Sequence, residues 1–250
     1  MKEVRPDIRR LLTILWLVVF FVVFSWSFTS AITPYLIREF EVEEEATVHV
    51  IGVASSLYSG AHALSNVVGG FASDVLGRKP PIVAGTTLNL LSLLLLFVSQ
   101  NRYWVFASFL VGAVGSGLLF PVAEALVGDV TPSRSLGFAY GLFNLSWTLS
   151  QVIAPVTGGT LAEVAGLKQS LAIASLTGAL AIFLSLLIRE GSVAARPNPR
   201  PPQPLQKPSR TAIFLFSGLE ALTGFANGIF HVLTVFFLMY VLNATPSQMG

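Results

Sequence analysis

Long apolar stretches, separated by short charged segments, constrain this chain more than any other feature. A helix that crosses the hydrocarbon core of a bilayer needs about 20 apolar residues, because its backbone polar groups must be paired internally once water is excluded. We number the seven stretches of suitable length spans 1 to 7; they cover residues 11–37, 46–73, 80–101, 103–123, 135–162, 169–188, and 211 onward with one interruption at position 220. Further spans follow the first, so we interpret it as a retained helix and not as a cleaved signal.

The composition excludes a water-soluble globular domain. Of the 250 residues, 53% are hydrophobic and 11% are charged, whereas soluble domains are about one quarter charged. The formal charge of +2 is too small to indicate a surface that binds nucleic acid. The chain has no cysteine, which excludes disulfides, thiolate metal sites, Fe–S clusters and a cysteine nucleophile. We therefore expect an all-α membrane protein with the lipid bilayer as a partner, no nucleic-acid partner, no metal and no cofactor.

The placement of basic residues predicts the orientation. If the N-terminus is cytoplasmic, the outer segments hold Arg38, Arg102 and Lys168, and the inner segments hold the other twelve of the 15 Lys and Arg residues. Lys and Arg collect on the cytoplasmic side of membrane proteins. This bias predicts a multi-pass protein of the plasma membrane with its N-terminus in the cytoplasm.

Residues 189–210 differ in composition from the rest of the chain. They are polar, basic and contain six prolines, which favours an extended, semi-rigid linker in contact with anionic lipids over a ligand for SH3-type domains. We predict three units: a six-helix transmembrane bundle at 1–188, a cytoplasmic Pro-rich basic linker at 189–210, and the first transmembrane helix of a second bundle at 211–250.

A weak internal repeat predicts that the second bundle resembles the first. The step from Thr47 to Gly52 recurs from Thr245 to Gly250. Residues 245–248, Thr-Pro-Ser-Gln, also have the form of a capping box that starts a helix. We therefore expect a chain with two similar halves, of which the second is incomplete here.

A ten-residue motif lies between spans 2 and 3. Residues 70–79 are Gly-Phe-Ala-Ser-Asp-Val-Leu-Gly-Arg-Lys and match G-x-x-x-D-x-x-G-R-[KR]. We expect Gly70 to permit a close helix approach and Gly77 to allow a tight turn. Asp74 would lie at the membrane surface, and Arg78 and Lys79 would hold the inner face. The pattern resembles motif A of the major facilitator superfamily.

This resemblance implies a fold and a mechanism. Six helices would form one bundle, span 7 would begin a second, and the two would rock around a substrate path to give alternating access. Asp74 and Arg78 would belong to a cytoplasmic charge network that stabilises the outward-facing state, with Glu124, Asp129 and Arg134 as further members. The full-length transporter is expected to be a monomer that carries a small-molecule substrate.

A stretch of span 5 resembles the end of motif C, which is associated with drug–proton antiporters. Pro155, Gly158 and Gly159 match this motif, whereas Ala154 and Ser150 stand where glycines are expected. Small-residue packing between helices explains the stretch as well. The resemblance implies proton-coupled efflux of a small molecule, with proton-coupled uptake of an organic solute as the alternative.

Polar residues inside the spans are candidate coupling or substrate sites, because inserting a charge costs about 2.5–3.5 kcal/mol. Glu220 lies nine residues past Thr211, about 14 Å along a helix and close to the midplane. It is the main candidate for proton coupling or for pairing with a cationic substrate, and a structural hydrogen bond is the alternative. Asn227 would lie near it. His62 is expected to be neutral and bonded to a neighbouring helix, and Trp26 to face a substrate cavity.

An intramembrane enzyme is the main alternative from another class. Gly115, Ser116 and Gly117 in span 4 approach the G-x-S-G pattern of a serine protease, but Val114 stands where the first glycine is required. Span 6 contains no histidine to act as the base, and a serine without a base is a weak nucleophile. We therefore expect no enzyme, and the motif between spans 2 and 3 disfavours a non-transporting membrane scaffold.

Overall fold

The structure, a computed structural model, describes residues 6–41, 43–188 and 233–249, with isolated positions 211, 215, 218, 219, 222 and 230 between the last two ranges. The predicted linker at 189–210, most of span 7, Glu220 and Asn227 lie outside the described residues. Described segments with regular structure are all helical. They are α1 (Pro6–Ser30), α2 (Thr33–Arg38), α3 (Glu44–Leu76), α4 (Lys79–Phe97), α5 (Arg102–Val130), α6 (Leu136–Ala165), α7 (Leu167–Leu186) and α8 (Pro246–Met249), with a 3-10 turn at Ser133–Ser135 and a π-helical segment at Phe237–Val241.

Six of these helices are long enough to cross a bilayer. By length and composition together, α1, α4, α5 and α7 qualify as membrane spans. Helices α3 and α6 are longer, with 33 and 30 residues. Helix α3 packs on α5, and α6 packs on α1. The result is an all-α membrane fold in which α1, continued by α2, corresponds to span 1 and α3 to α7 correspond to spans 2 to 6.

Small residues set the closest helix contacts. A side chain at Gly69 would meet the Gly117 carbonyl oxygen at 2.5 Å, so α3 and α5 touch through their backbones there. Nothing among the described residues lies within 4 Å of a side chain placed at Gly70, so in this part of the chain the close approach is at Gly69 and not at Gly70. Adjacent helix positions point about 100° apart, and only Gly69 faces α5. On the other side of Ser116, Gly115 makes the same kind of contact with Gly85 of α4, which explains this Gly-Ser-Gly stretch as a helix crossing.

Two clusters of buried apolar side chains cover the two ends of the bundle. One joins the first part of α1 to the last part of α5. The other joins the end of α1 and all of α2 to the start of α3, and it includes Val235. Helices α3, α5 and α7 all end on the same side of the bundle, and we call this side the motif A end. We call the other side the opposite end. Segment 233–249 contacts the opposite end.

Candidate functional site

The motif at 70–79 forms a sharp turn between α3 and α4. Gly77 ends α3 with φ of +88°, a conformation that side chains disfavour and that glycine adopts without cost. Arg78 immediately precedes the first residue of α4. The turn therefore places the Arg78 side chain beside the last turn of α3 and in reach of neighbouring helices.

The guanidinium of Arg78 joins three oxygen atoms. Its Nε donates to Asp129 Oδ2 at 3.0 Å, and Nη1 donates to Ser73 Oγ at 2.6 Å and to Asp74 Oδ1 at 3.3 Å. The planar fork of arginine suits several acceptors at fixed angles. The side chain of Asp129 is 36% exposed and that of Asp74 is 73% exposed, so water screens the Asp129 pair less. Arg78 therefore ties α3 to the end of α5 chiefly through Asp129.

Lys79 makes a separate connection at this end. Its Nζ donates to the Leu186 carbonyl oxygen at 2.9 Å, at the last residue of α7. The final carbonyls of a helix lack partners within the helix and carry partial negative charge, so a lysine there stabilises the terminus. Neighbouring residues of one motif therefore bind two different helices.

Two predicted members do not join the charge network. Glu124 and Arg134 are exposed and form no ion pair with any residue that the structure describes. Glu124 precedes Asp129 by five residues, which turns its side chain by about 140° around the helix axis. The Ser73 hydroxyl takes part instead, and its position inside the motif was the only sign of this in the sequence.

A cavity of about 380 Å³ lies inside the bundle, within the size range of small-molecule sites. Helices α1, α2, α3, α4, α5 and α7 line it, together with Val235. Among the described residues none of its lining side chains carries a formal charge. Its polar side-chain groups are hydroxyls, one amide and the Trp26 indole N–H; the hydroxyls and the amide come from Ser25, Thr29, Ser30, Thr33, Ser55, Tyr58, Ser59, Asn89, Ser92 and Ser108.

Aromatic rings form one wall of this cavity. The Trp26 and Tyr58 rings stack with centroids 6.1 Å apart, and Phe109 meets Tyr58 edge-on at 6.4 Å. Trp26 is 44% exposed and lines the cavity. His62 stacks on Tyr58 at 5.6 Å within the same helix. It does not line the cavity, and it makes no hydrogen bond to a neighbouring helix among the described residues, so the predicted bond stays a prediction.

Several wall hydroxyls are paired between helices. Ser25 Oγ lies 2.7 Å from Thr177 Oγ1, which joins α1 to α7, and Ser108 Oγ donates to the Ser92 carbonyl oxygen at 2.8 Å, which joins α5 to α4. Asn89 Nδ2 donates to the Gly85 carbonyl at 2.9 Å. Each hydroxyl keeps further hydrogen-bonding capacity, so the wall can bind polar groups of a ligand without breaking these bonds.

The motif C-like stretch of α6 makes two close contacts at the opposite end, one with α1 and one with segment 233–249. A side chain at Gly158 would overlap the Phe28 carbonyl of α1, and one at Gly159 would overlap the Pro246 carbonyl. Pro155 lies inside α6, one turn before these glycines. The two glycines therefore allow α6 to touch α1 on one side and segment 233–249 on the other.

Polar contacts surround the Gly159 contact. The Tyr35 hydroxyl donates to the Ala244 carbonyl, and the Arg38 guanidinium lies 5.7 Å from the centre of the Tyr240 ring, within cation–π range. Glu163 Oε1 accepts a hydrogen bond from the Ser247 backbone N–H at 3.0 Å. We call this set, with Gly159 and Pro246, the 233–249 contact.

Hydrogen bonds also organise the start of α8 and the Glu163 carboxylate. Gln248 Oε1 accepts from the Thr245 backbone N–H at 3.0 Å, which is one of the two bonds of the predicted capping box. Hydrogen bonds from the Thr245 side chain and from Ser247 hold the pKa of Glu163 below its usual value, because they favour the ionised form. The 233–249 contact therefore contains a carboxylate that stays charged at neutral pH.

Comparisons with known proteins agree with this architecture. The model of the Major Facilitator Superfamily matches residues 15–250. An uncharacterized MFS-type transporter of Methanocaldococcus jannaschii is 29% identical over 178 residues, which cover 69% of this chain and 46% of that protein. The multi-drug resistance efflux pump PmrA of Streptococcus pneumoniae is 28% identical over 158 residues, which cover 63% of this chain and 39% of the pump.

The fold is also shared with a solved structure. A crystal structure of the peptide transporter POT in complex with sulfate matches with a TM-score of 0.65 at 20% identity, covering 94% of this chain and 46% of that one. The chain thus spans about half, or less, of the length of the proteins it matches. These relatives indicate a transporter and not an enzyme. Since the family model extends over most of the sequence, this multi-pass membrane chain belongs to the major facilitator superfamily.

Proposed function

We propose that this chain is part of a proton-coupled exporter of a small organic molecule, with its N-terminus in the cytoplasm of the cell and its spans in the plasma membrane. The observation that carries the proposal is the junction of Gly159 with Pro246 at the end of a bundle that holds the 380 Å³ cavity. Alternating access requires a site that is closed at one end by contacts that can separate. The 233–249 contact supplies such a closure.

The position of the cavity supports the same mechanism. Val235 belongs to segment 233–249, and it lines the cavity together with Trp26 and Tyr58. Separation of the segment from α6 would therefore change both the closed end and one wall of the cavity. This coupling between closure and site is what a transporter needs in order to release its substrate on one side only.

Efflux is supported by sequence relatives and by the motif C-like stretch. One relative is a multi-drug resistance efflux pump, and Pro155, Gly158 and Gly159 match the motif that antiporters share. The wall of Trp26, Tyr58 and Phe109 favours a substrate with an aromatic portion. No described lining residue is a lysine or arginine, the residues that bind carboxylates and phosphates. We infer a substrate that is neutral or cationic.

Proton coupling is assigned to Glu220, which lies outside the described residues. A carboxyl at the middle of a span can take up a proton on one side and release it on the other. Asn227 would line the same path. Protons are therefore the proposed coupling ion, and the complete transporter is proposed to act as a monomer.

The experiment is flux measurement in proteoliposomes under an imposed pH gradient. We would compare rhodamine 6G, an aromatic cation, with glucarate and with dialanine. Dye movement opposite to the protons supports the exporter, whereas movement with the protons would establish the uptake alternative. Preference for glucarate or dialanine would contradict the substrate class.

The coupling role of Glu220 is tested in the same vesicles. Glu220→Gln should abolish gradient-driven transport and leave dye exchange at equilibrium intact. Glu45→Gln is the matched control, because Glu45 is exposed at the start of α3. Unchanged pH dependence in Glu220→Gln would remove this residue from the mechanism.

A further inference from the structure

A second cavity lies at the motif A end, between the start of α1, the end of α5 and the start of α6. Its volume is about 100 Å³, too small for a drug-sized molecule. Its walls are mostly apolar and include Leu12, Phe138 and Leu142. Arg9 and Thr131 contribute polar atoms to the same cavity. It shares no described lining residue with the 380 Å³ cavity.

Two buried polar atoms of the residues that line this cavity have no hydrogen-bond partner among the residues that the structure describes. They are Nε of Arg9 and Oγ1 of Thr131. Thr131 as a whole is only 7% exposed. Buried donors are almost always paired in native proteins, and leaving a charged donor unpaired is especially unfavourable. Two such atoms in one cavity indicate that a ligand completes the site.

Two other polar side chains of the cavity are already engaged. Thr13 Oγ1 donates to the Arg9 carbonyl at 2.9 Å, and the Trp16 indole N–H donates to the Leu142 carbonyl at 2.9 Å. Asp129, two residues before Thr131, accepts from Arg78 at 3.0 Å. The buried atoms of the described lining that stay without a partner are thus one guanidinium N–H and one hydroxyl. Together they match an oxyanion, which accepts hydrogen bonds and balances the positive charge.

The surroundings favour an amphiphile as the source of the oxyanion. Phe138 is 60% exposed and Leu142 is 40% exposed, so apolar surface continues outward from the polar atoms. Arg9 lies at the start of span 1 and Thr131 immediately follows α5, which places both near a membrane interface. Basic groups at that depth attract anionic lipid headgroups.

We propose that this cavity binds the phosphate group of an anionic amphiphile. The Arg9 guanidinium and the Thr131 hydroxyl donate hydrogen bonds to the phosphate oxygens, and the acyl portion lies over Phe138 and Leu142. The site is independent of the transport proposal, because it shares no residue with the substrate cavity or with the 233–249 contact.

The test measures lipid binding to the purified chain in detergent micelles by native mass spectrometry. The probes are dioleoylphosphatidylglycerol, dioleoylphosphatidylcholine and inorganic phosphate. Phosphatidylglycerol should bind at least about tenfold more tightly than phosphatidylcholine. Arg9→Gln should weaken phosphatidylglycerol binding about tenfold, which is the usual effect of losing a hydrogen bond to a charged group. Arg10→Gln is the matched control, since Arg10 is the next residue and is exposed; its effect should stay within about twofold.

Thr131→Val keeps the test valid if Arg9→Gln fails to fold. Because the hydroxyl has no partner, this variant should keep its melting temperature without lipid and lose about threefold or more in lipid affinity. Equal effects of Arg9→Gln and Arg10→Gln would overturn the site, because they would show diffuse attraction only. Displacement of the lipid by millimolar inorganic phosphate would contradict an amphiphile as the ligand. It would show that the cavity binds a free oxyanion instead.

Discussion

At the motif A end, Arg78 binds Asp129 and Asp74 across α3 and α5, whereas at the opposite end an uncharged segment meets α6 at Gly159. Segment 233–249 contains no Asp, Glu, Lys or Arg. Its backbone contact with α6 requires a residue without a side chain at Gly159. The ion pairs of the motif A end require the side chains of Arg78, Asp74 and Asp129. The two ends should therefore fail in different ways.

Ion pairs and close backbone contacts differ in how well they tolerate small changes of position or size. Partly exposed charges are screened by water, and they tolerate small shifts with little loss of energy. A backbone contact through glycine leaves no room for even one methyl group. We therefore expect steric changes at the opposite end to have larger effects than charge changes at the motif A end.

The largest effect is expected for Gly159→Ala. The added methyl group would overlap the Pro246 carbonyl, which belongs to the backbone and must move for the closed end to form. Overpacking costs about 1–3 kcal/mol, so proton-driven dye transport in proteoliposomes should fall about tenfold or more. Gly141→Ala on the same helix faces open space and should stay within about twofold. Equal rates for the two variants would contradict the closure at Gly159.

Arg78→Gln should have the next largest effect. It removes both ion pairs and the bond to Ser73, so α3 and α5 lose their link at the motif A end. We expect maximal transport to fall about fivefold, which corresponds to about 1 kcal/mol, with KM unchanged within about twofold. Arg134→Gln is the control, because Arg134 is an exposed arginine at the same end. A similar loss in both variants would show that only net charge matters there.

Asp129→Asn and Asp74→Asn rank the two partners of Arg78. The Asp129 pair is shorter, at 3.0 Å against 3.3 Å, and less exposed. Asp129→Asn should therefore slow transport about threefold, and Asp74→Asn less than about twofold. Maximal transport rates at saturating dye measure both. A larger loss in Asp74→Asn would mean that Asp74 has a partner in another conformation of the transporter.

The smallest effect concerns pH and Glu163. Because hydrogen bonds lower the pKa of Glu163 in the closed contact, its stabilisation is present above the ordinary glutamate pKa and disappears as the pH falls through the lowered value. The contact should thus stay closed at neutral pH and loosen only below a pH of about 4. Glu163→Gln should remove this dependence and loosen the contact about twofold throughout.

Thiol labelling measures this loosening. Ala244 is buried, at 8% exposure, and the chain has no native cysteine, so the labelling of Ala244→Cys reports separation of the 233–249 contact. Gln248→Cys, at an exposed position, normalises the labelling rate for the effect of pH on the thiol. Loosening between pH 8 and pH 6 would contradict the role of Glu163.

Features that depend on local chain chemistry could be predicted from the sequence. The lengths of the spans follow from bilayer thickness, and the start of α8 at Thr245 follows from hydrogen bonds within four residues. The turn at Gly77 likewise follows from the spacing of one motif. In each case the residues that decide the structure are neighbours in the chain.

Features that depend on helix rotation could not be predicted. Gly69 and Gly70 are equally small, and the choice between them depends on which side of α3 faces α5. The same rotation brings Asp129 to Arg78 and leaves Glu124 outside the network. Tyr58 and Asn89 of the cavity were missed because its wall is assembled from six helices, and neither residue stands out among its sequence neighbours.

The bond from Lys79 to the Leu186 carbonyl has a mechanical consequence. Leu186 is the last residue of α7, and the chain continues from there toward its second part. Lys79 therefore holds the last turn of α7 against the turn between α3 and α4. The neighbouring Arg78 holds the end of α5 against the same turn. A displacement of this one turn would therefore move its contacts with α5 and α7 together.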